Sequence, residues 1–145
     1  MSMLEQNLQY TFCNRALLAE ALTHPSAKDR CDNQRLEFLG DAVLEFCISD
    51  LLYHKYPACR EGELTEKRAS LVCEETLSHL AKQLCIGEVL KLGHGEEHTL
   101  GREKPSILAD ALEALLAAVY LDGGMTAAQA VISCLFNEDE ARHLL

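Results

Sequence analysis

Between Pro105 and Leu121 only Ser106, Asp110 and Glu113 carry clearly polar side chains. A run of this length predicts a helix, and a helix that is apolar round most of its circumference has to be enclosed by other elements. Asp110 and Glu113 stand three apart, about 60° on the helical wheel, so both carboxylates face one side of that enclosed helix. Taking an ionised carboxylate out of water costs several kcal/mol unless a cation or hydrogen bonds compensate. Two together point to a bound metal or to strongly shifted pKa values.

A second segment repeats the pattern. Glu37 and Asp41 stand four apart, about 40° on the wheel, among Leu36, Phe38, Leu39, Ala42, Val43, Leu44, Phe46, Cys47 and Ile48, which predicts another buried helix. Two apolar helices that each carry an acidic pair can pack so that the four carboxylates converge. That makes the hard, all-oxygen site suited to Mg²⁺ or Mn²⁺. A solvated polar stripe that includes Glu45 satisfies the same spacing, because acidic pairs four apart occur on ordinary helices.

The string Gln34-Arg35-Leu36-Glu37-Phe38-Leu39-Gly40-Asp41-Ala42-Val43-Leu44, followed by Ser106-Ile107-Leu108-Ala109-Asp110-Ala111-Leu112-Glu113-Ala114, resembles the two signatures of the ribonuclease III endonucleases. The likeness extends to Thr23-His24-Pro25-Ser26, to Tyr53-His54-Lys55-Tyr56-Pro57, to Glu61-Gly62-Glu63-Leu64-Thr65 and to Tyr120-Leu121-Asp122, and so covers roughly residues 4 to 136. It implies an all-α endonuclease-domain fold that assembles as a homodimer. It also implies metal-dependent hydrolysis of phosphodiester bonds in double-stranded RNA, an RNA-processing activity that leaves 5′-phosphate and 3′-hydroxyl ends. Glu37, Asp41, Asp110 and Glu113 match the family's metal-binding, catalytic carboxylates, with Mg²⁺ the expected cofactor and Mn²⁺ its substitute. A metal there lowers the pKa of bound water and offsets charge on the phosphate and the leaving oxygen, so no Ser or His nucleophile is needed.

The signature departs from the family at its first position, where Gln34 replaces the usual Glu and keeps hydrogen-bonding capacity without the charge. By resemblance Gln34 and Glu61 lie near the RNA, although Glu61 reads equally as a solvated turn residue. Phe38 is by default a core residue, and by resemblance it plugs a socket on the partner subunit.

Length and composition fit one domain spanning residues 1–145, because 145 residues with 48% hydrophobic content supply a sizeable core. No double-stranded-RNA-binding domain is expected within it. In the usual bacterial family member such a domain follows the catalytic one, so the chain reads either as a catalytic fragment, which its close signature favours, or as one of the short family forms. With no uninterrupted apolar run of about 20 residues and no charged-then-apolar leader, neither a membrane span nor a secretory signal is expected, and the protein reads as cytoplasmic. Seven cysteines, at 13, 31, 47, 59, 73, 85 and 134, are odd in number and show no C-x-x-C spacing, which indicates neither a closed disulfide set nor a zinc site, and most read as small hydrophobes, notably Cys47.

Charge argues the other way. With 13 basic against 23 acidic residues the net charge is -10, which weakens binding to a phosphate backbone. Arg60, Lys67, Arg68, Arg102 and Lys104 are candidates for local basic rims, or are scattered surface charges. The acidic balance suits a helical, Mg²⁺-dependent nucleotide pyrophosphohydrolase better. A non-catalytic scaffold of the same fold would lack the four acids.

The pattern along the chain predicts helices throughout. Asn14 caps a short one to about Leu22, Asp32 or Asn33 caps the signature helix, and Pro57 follows its end. Residues 64–84 read as one helix or two, ended by Gly87, and residues 93–104 read as loop. Pro105 opens the second acidic helix, Gly123-Gly124 ends it, and Thr126 caps a last helix to about Phe136. His94 and His98 are four apart but fall in the loop, where helical register is not expected. Glu140-Ala141-Arg142-His143 has the E-x-x-H spacing of di-iron bundles, in one copy only.

Overall fold

The computed structural model describes residues 1–137, so the Glu140–His143 string lies outside the described residues. The order is α1 (Met3–Leu8), α2 (Arg15–Ala21), a 3-10 turn (Pro25–Ala27), α3 (Gln34–Lys55), α4 (Glu61–Val72), α5 (Glu74–Gln83), α6 (Ile86–Val89), α7 (His94–His98), a second 3-10 turn (Gly101–Glu103) and α8 (Pro105–Leu135). Among the described residues the β content is an isolated bridge between Thr23 and Lys91.

As its apolar circumference requires, α8 occupies the middle. It packs against α1, α2, α3, α5 and α6, and Ala111, Leu112 and the run Ala114–Val119 are fully enclosed. Each large apolar side chain buried there contributes roughly 1.5–3 kcal/mol. Helix α8 is the one described helix long and apolar enough to cross a membrane by length and composition, and here it forms the core of a helical domain.

The expectation of an enclosed signature helix fails on one face. α3 buries Leu36, Gly40, Val43, Leu44, Cys47, Ile48 and Leu52, a helical stripe, while Phe38, Phe46 and Tyr53 on other faces are 83%, 55% and 68% exposed. Phe38 is therefore not a core residue of this chain.

The first turn of the chain is tied down by an acid that the apolar pattern does not reveal. Glu5 is fully buried; its Oε2 accepts from Arg15 Nη1 at 2.7 Å and from the Phe12 N–H at 2.8 Å, and its Oε1 accepts from Ser2. Asp122 plays a similar part at the other end, accepting from Tyr10 Oη at 2.6 Å and from the backbone N–H groups of Cys13 and Asn14.

Several boundaries move. Asn14 caps α2 as expected, but Asn33 turns its side chain to the Ala21 carbonyl, and Asp32 Oδ1 receives the Gln34 N–H instead. The 64–84 stretch is two helices, separated by Cys73 in an extended conformation. Cys85, left-handed at φ 59°, breaks the next turn, and Gly87 lies inside α6. Gly124, at φ 86° and ψ 177°, breaks the helical path of α8 where an end was expected, and a further helical stretch runs on to Leu135. The predicted loop at 93–104 contains α7 and a 3-10 turn. Of the cysteines only Cys47 is buried, with Sγ 3.7 Å from Met125 Sδ; Cys13, Cys31 and Cys134 are exposed.

Candidate metal centre

Glu37 stands in the first turn of α3 and Asp41 one turn on; Asp110 and Glu113 occupy the second and third turns of α8. What brings them together is Gly40. A Cβ built at Gly40 would lie 1.8 Å from the Glu113 carbonyl oxygen and 2.5 Å from its carbon, so the two backbones touch where α3 crosses α8. No side chain fits between them. Glu37 and Asp41 flank that glycine, and Glu113 is the residue it touches, which turns four acids distant in sequence into one cluster.

Across the crossing Asp110 acts on Glu37 and Asp41 on Glu113, each raising the proton affinity of its neighbour on the other helix. One carboxylate oxygen from each of Glu37, Asp110 and Glu113 falls within 4.8 Å of the others, whereas Asp41 is exposed, lies outside this set and acts on Glu113 electrostatically. Burial first, then Asp110 and Asp41, push Glu37 up to about 7. Burial, the hydrogen bond with Asp41 and the neighbouring acids push Glu113 up to about 8. Burial also raises Asp110, against the opposing effect of its hydrogen bond from Glu37. Among the described residues no Lys or Arg forms an ion pair with any of the four. Partly desolvated carboxylate oxygens with no protein cation are the donor set of a hard divalent ion, so these residues fit a metal of the Mg²⁺ or Mn²⁺ kind.

The other expected residues fall around this centre. Gln34 is exposed at the start of α3, and Glu61 is exposed at the start of α4, where its Oε1 accepts from Thr65 Oγ1 at 3.2 Å. Neither belongs to the carboxylate set. Phe38 follows Glu37 and points to solvent. The candidate basic rim is largely absorbed elsewhere. Arg68 pairs with Glu45 at 3.3 Å, Lys104 pairs with Glu96, and Lys67 lies 4.3 Å from the centre of the Tyr56 ring. Arg102 pairs with Glu97 at 2.7 Å and also donates to the Gly87 and Leu90 carbonyls. Arg60 is exposed ahead of α4.

Three contributors escaped the sequence reading. Gly40 had a signal, since a glycine inside a helix costs about 1 kcal/mol against alanine and marks close packing. Glu74 at the start of α5 and His24 before the first 3-10 turn both act electrostatically on Asp110, in opposite senses. The position of His24 is fixed by Ser26, whose backbone N–H donates to Nδ1 at 3.0 Å and whose hydroxyl lies 2.7 Å from the same nitrogen. No local pattern announces these long-range approaches.

Comparison with known proteins agrees with the geometry. The family described as Ribonuclease-III-like matches residues 14–139. Ribonuclease 3 of Caldanaerobacter subterraneus is 48% identical over 143 residues, which cover 95% of this chain and 63% of the relative. Ribonuclease 3 of Desulforamulus reducens is 51% identical over 139 residues, 91% of this chain and 56% of the relative. The chain thus spans about three fifths of the length of these curated relatives. Among solved structures, the nuclease domain of ribonuclease III from Campylobacter jejuni superimposes with a TM-score of 0.91 at 42% identity, covering 94% of this chain and 96% of that one; that work concerns flexibility in a region involved in dimer formation. A helical fold superimposable on that nuclease domain, two acid-bearing helices crossing at a glycine, and a match running almost end to end lead to one assignment: the chain belongs to the ribonuclease-III-like family.

Proposed function

We propose that this chain is a single ribonuclease III catalytic domain, an endoribonuclease that hydrolyses phosphodiester bonds of double-stranded RNA and leaves 5′-phosphate and 3′-hydroxyl ends. The observation that carries the reading is the α3–α8 crossing, where carboxylate oxygens of Glu37, Asp110 and Glu113 converge and, among the described residues, no Lys or Arg pairs with them. Glu37, Asp41, Asp110 and Glu113 are assigned as ligands of Mg²⁺, with Mn²⁺ as a substitute. A bound divalent ion supplies Lewis-acid chemistry there, activating water and offsetting charge on the phosphate and the departing 3′ oxygen. The chain's own part is to hold the acids at fixed separation on two rigid helices, so that little rearrangement accompanies the reaction. Their raised proton affinity means that the free centre keeps protons near neutrality, which it sheds as the ion binds. Gln34 and Glu61, at exposed helix starts, are assigned to the RNA-facing rim.

The working unit is proposed to be a homodimer, in the cytoplasm. Phe38, 83% exposed beside Glu37, and the exposed Phe46 and Tyr53 place three aromatic side chains on the solvent side of one helix, which favours a partner surface there. A second copy of the chain seated on that face would cover Phe38 and bring a second carboxylate centre near the first. Sedimentation of the wild type and of Phe38→Ala tests this; equal weights for both, at the monomer value, would remove the dimer.

The activity is tested by incubating the protein at low salt with a long RNA duplex, with Mg²⁺ and with EDTA, beside single-stranded RNA and a nucleoside triphosphate. Low salt matters because a chain of net charge -10 has little electrostatic hold on RNA. Metal-dependent cutting of the duplex alone is expected. Hydrolysis of the triphosphate with the duplex left intact would replace the nuclease with a pyrophosphohydrolase.

A further inference from the structure

We propose that His94 and His98 form a second metal site, a two-histidine chelate on α7 for a borderline transition ion such as Zn²⁺ or Ni²⁺, chemically separate from the carboxylate centre. The residues lie where a loop was expected, but the backbone is helical. The Glu97 N–H donates to the Gly93 carbonyl at 3.0 Å and the Thr99 N–H to the Gly95 carbonyl at 3.1 Å, the four-residue register of an α-helix. His94 and His98 are therefore one turn apart on one face. Their ring centroids are 6.5 Å apart and their planes differ by 24°.

Both rings are exposed, and among the described residues neither takes part in a hydrogen bond or an ion pair. Imidazole nitrogens bind zinc at about 2.0–2.1 Å, so the two rings have only to rotate inward slightly to share one ion, and exposed side chains rotate freely. Two histidines four apart on one helix face are the arrangement by which zinc is gripped in metallopeptidase helices. Imidazole selects Zn²⁺, Cu²⁺ and Ni²⁺, whereas the oxygen ligands at the α3–α8 crossing select Mg²⁺ and Mn²⁺, so the two sites sort ions by chemistry.

The acids between the histidines are already engaged. Glu96 is paired with Lys104 and Glu97 with Arg102 at 2.7 Å, so neither completes the coordination and neither is free to act as a base. Water fills the remaining positions, and the site binds without hydrolysing. The helix is also braced from outside. The Gly93 N–H donates to Ser26 Oγ at 2.8 Å, and α7 packs between the two 3-10 turns, the second of which leads directly into α8. An ion across His94 and His98 would clamp the segment that introduces Asp110 and Glu113.

Calorimetric titration of the whole chain with NiCl₂, in excess Mg²⁺ to occupy the carboxylates, tests the site. Wild type, His94→Gln, His98→Gln and Glu113→Gln are compared, because the exposed thiols of Cys13, Cys31 and Cys134 also take soft ions and only the difference is diagnostic. The wild type and Glu113→Gln are expected to bind one equivalent more than either histidine variant. With diamagnetic ZnCl₂ in place of Ni²⁺, the ring signals of His94 and His98, two of the six histidines, should shift together in the NMR spectrum. Identical isotherms for wild type and both histidine variants would overturn the proposal, as would an equivalent lost in Glu113→Gln but kept in His94→Gln.

Discussion

Glu5, at the foot of α1, and Glu113, at the α3–α8 crossing, are both carboxylates withdrawn from water by helix packing, and they titrate in opposite directions. Arg15, the Phe12 N–H and Ser2 hold Glu5 down at about 2, while burial and three neighbouring acids push Glu113 up to about 8. The first acid is a finished structural joint, because every oxygen has a donor. The second is surrounded by groups of its own sign, and its hydrogen bond to Asp41 requires that a proton be shared. A fold that needed only stability at the crossing would place a cation there, as it does beside Glu5. With no Lys or Arg paired to the acids among the described residues, the position is available to an ion from solution, at a standing cost in stability.

Three substitutions break this contrast in different ways. Gly40→Ala should have the largest effect, since its methyl would sit 1.8 Å from the Glu113 carbonyl and that backbone cannot yield without parting α3 from α8. A loss of about 4 kcal/mol or more is expected in urea unfolding, with cleavage lost too. An unchanged urea midpoint would mean that the helices do not cross in contact. Glu113→Gln should cut Mg²⁺-dependent cleavage by about a hundredfold or more, given that even partners outside a ligand set cost 10–100-fold. In metal-free buffer at about pH 8 the same variant should melt higher than the wild type, because an amide has no charge to bury. Melting lower would show that Glu113 is a structural joint like Glu5. Glu5→Ala should do the reverse. It strands the buried Phe12 N–H, so chemical denaturation should register a loss of about 2–3 kcal/mol, with cleavage by the folded fraction unaffected.

The two acids also differ in how plainly the sequence announces them. Glu113 and its three companions stand out because they interrupt apolar runs at helical spacing, and the enclosure of α8 follows from the same runs. Glu5 sits in a short polar stretch, and its burial depends on Arg15 and Phe12 folding back from the next element, a tertiary event with no local period. The same division explains the rest. Phe38 and Phe46 read as core because composition counts apolar residues without knowing which face of α3 meets α8. The segment at 93–104 reads as loop because its glycines and charges hide a helix held by Ser26, Lys104 and Arg102 from outside it. The spacing predicts convergence of four acids and the structure brings three of them, Glu37, Asp110 and Glu113, within reach of one another, while the glycine at the crossing is visible only as a contact.

The smallest predicted effect separates the two sites along the pH axis. Glu5 has its proton affinity lowered by folding, so its contribution to stability is present above the ordinary value of 4.5 and is lost as pH falls toward about 2. Glu37 and Glu113 have theirs raised, to about 7 and about 8, so the folded state holds protons that the unfolded chain has released. The stability they lend is complete below 4.5 and is lost as pH rises through 7 and 8. The melting temperature of metal-free protein should therefore decline by a few degrees between about pH 5.5 and pH 8.5. Mg²⁺ should restore it, and by more at the upper pH, because the ligands must lose their protons before they coordinate. Glu113→Gln should flatten the metal-free decline and shrink the Mg²⁺ response, whereas Glu5→Ala should lower the whole curve and leave both slopes in place. Scanning calorimetry of the three proteins at the two pH values, with and without Mg²⁺, reads all of this at once. An Mg²⁺-induced rise of equal size at both pH values would mean that the ion binds to groups already ionised, and the crossing would lose its claim to be the metal centre.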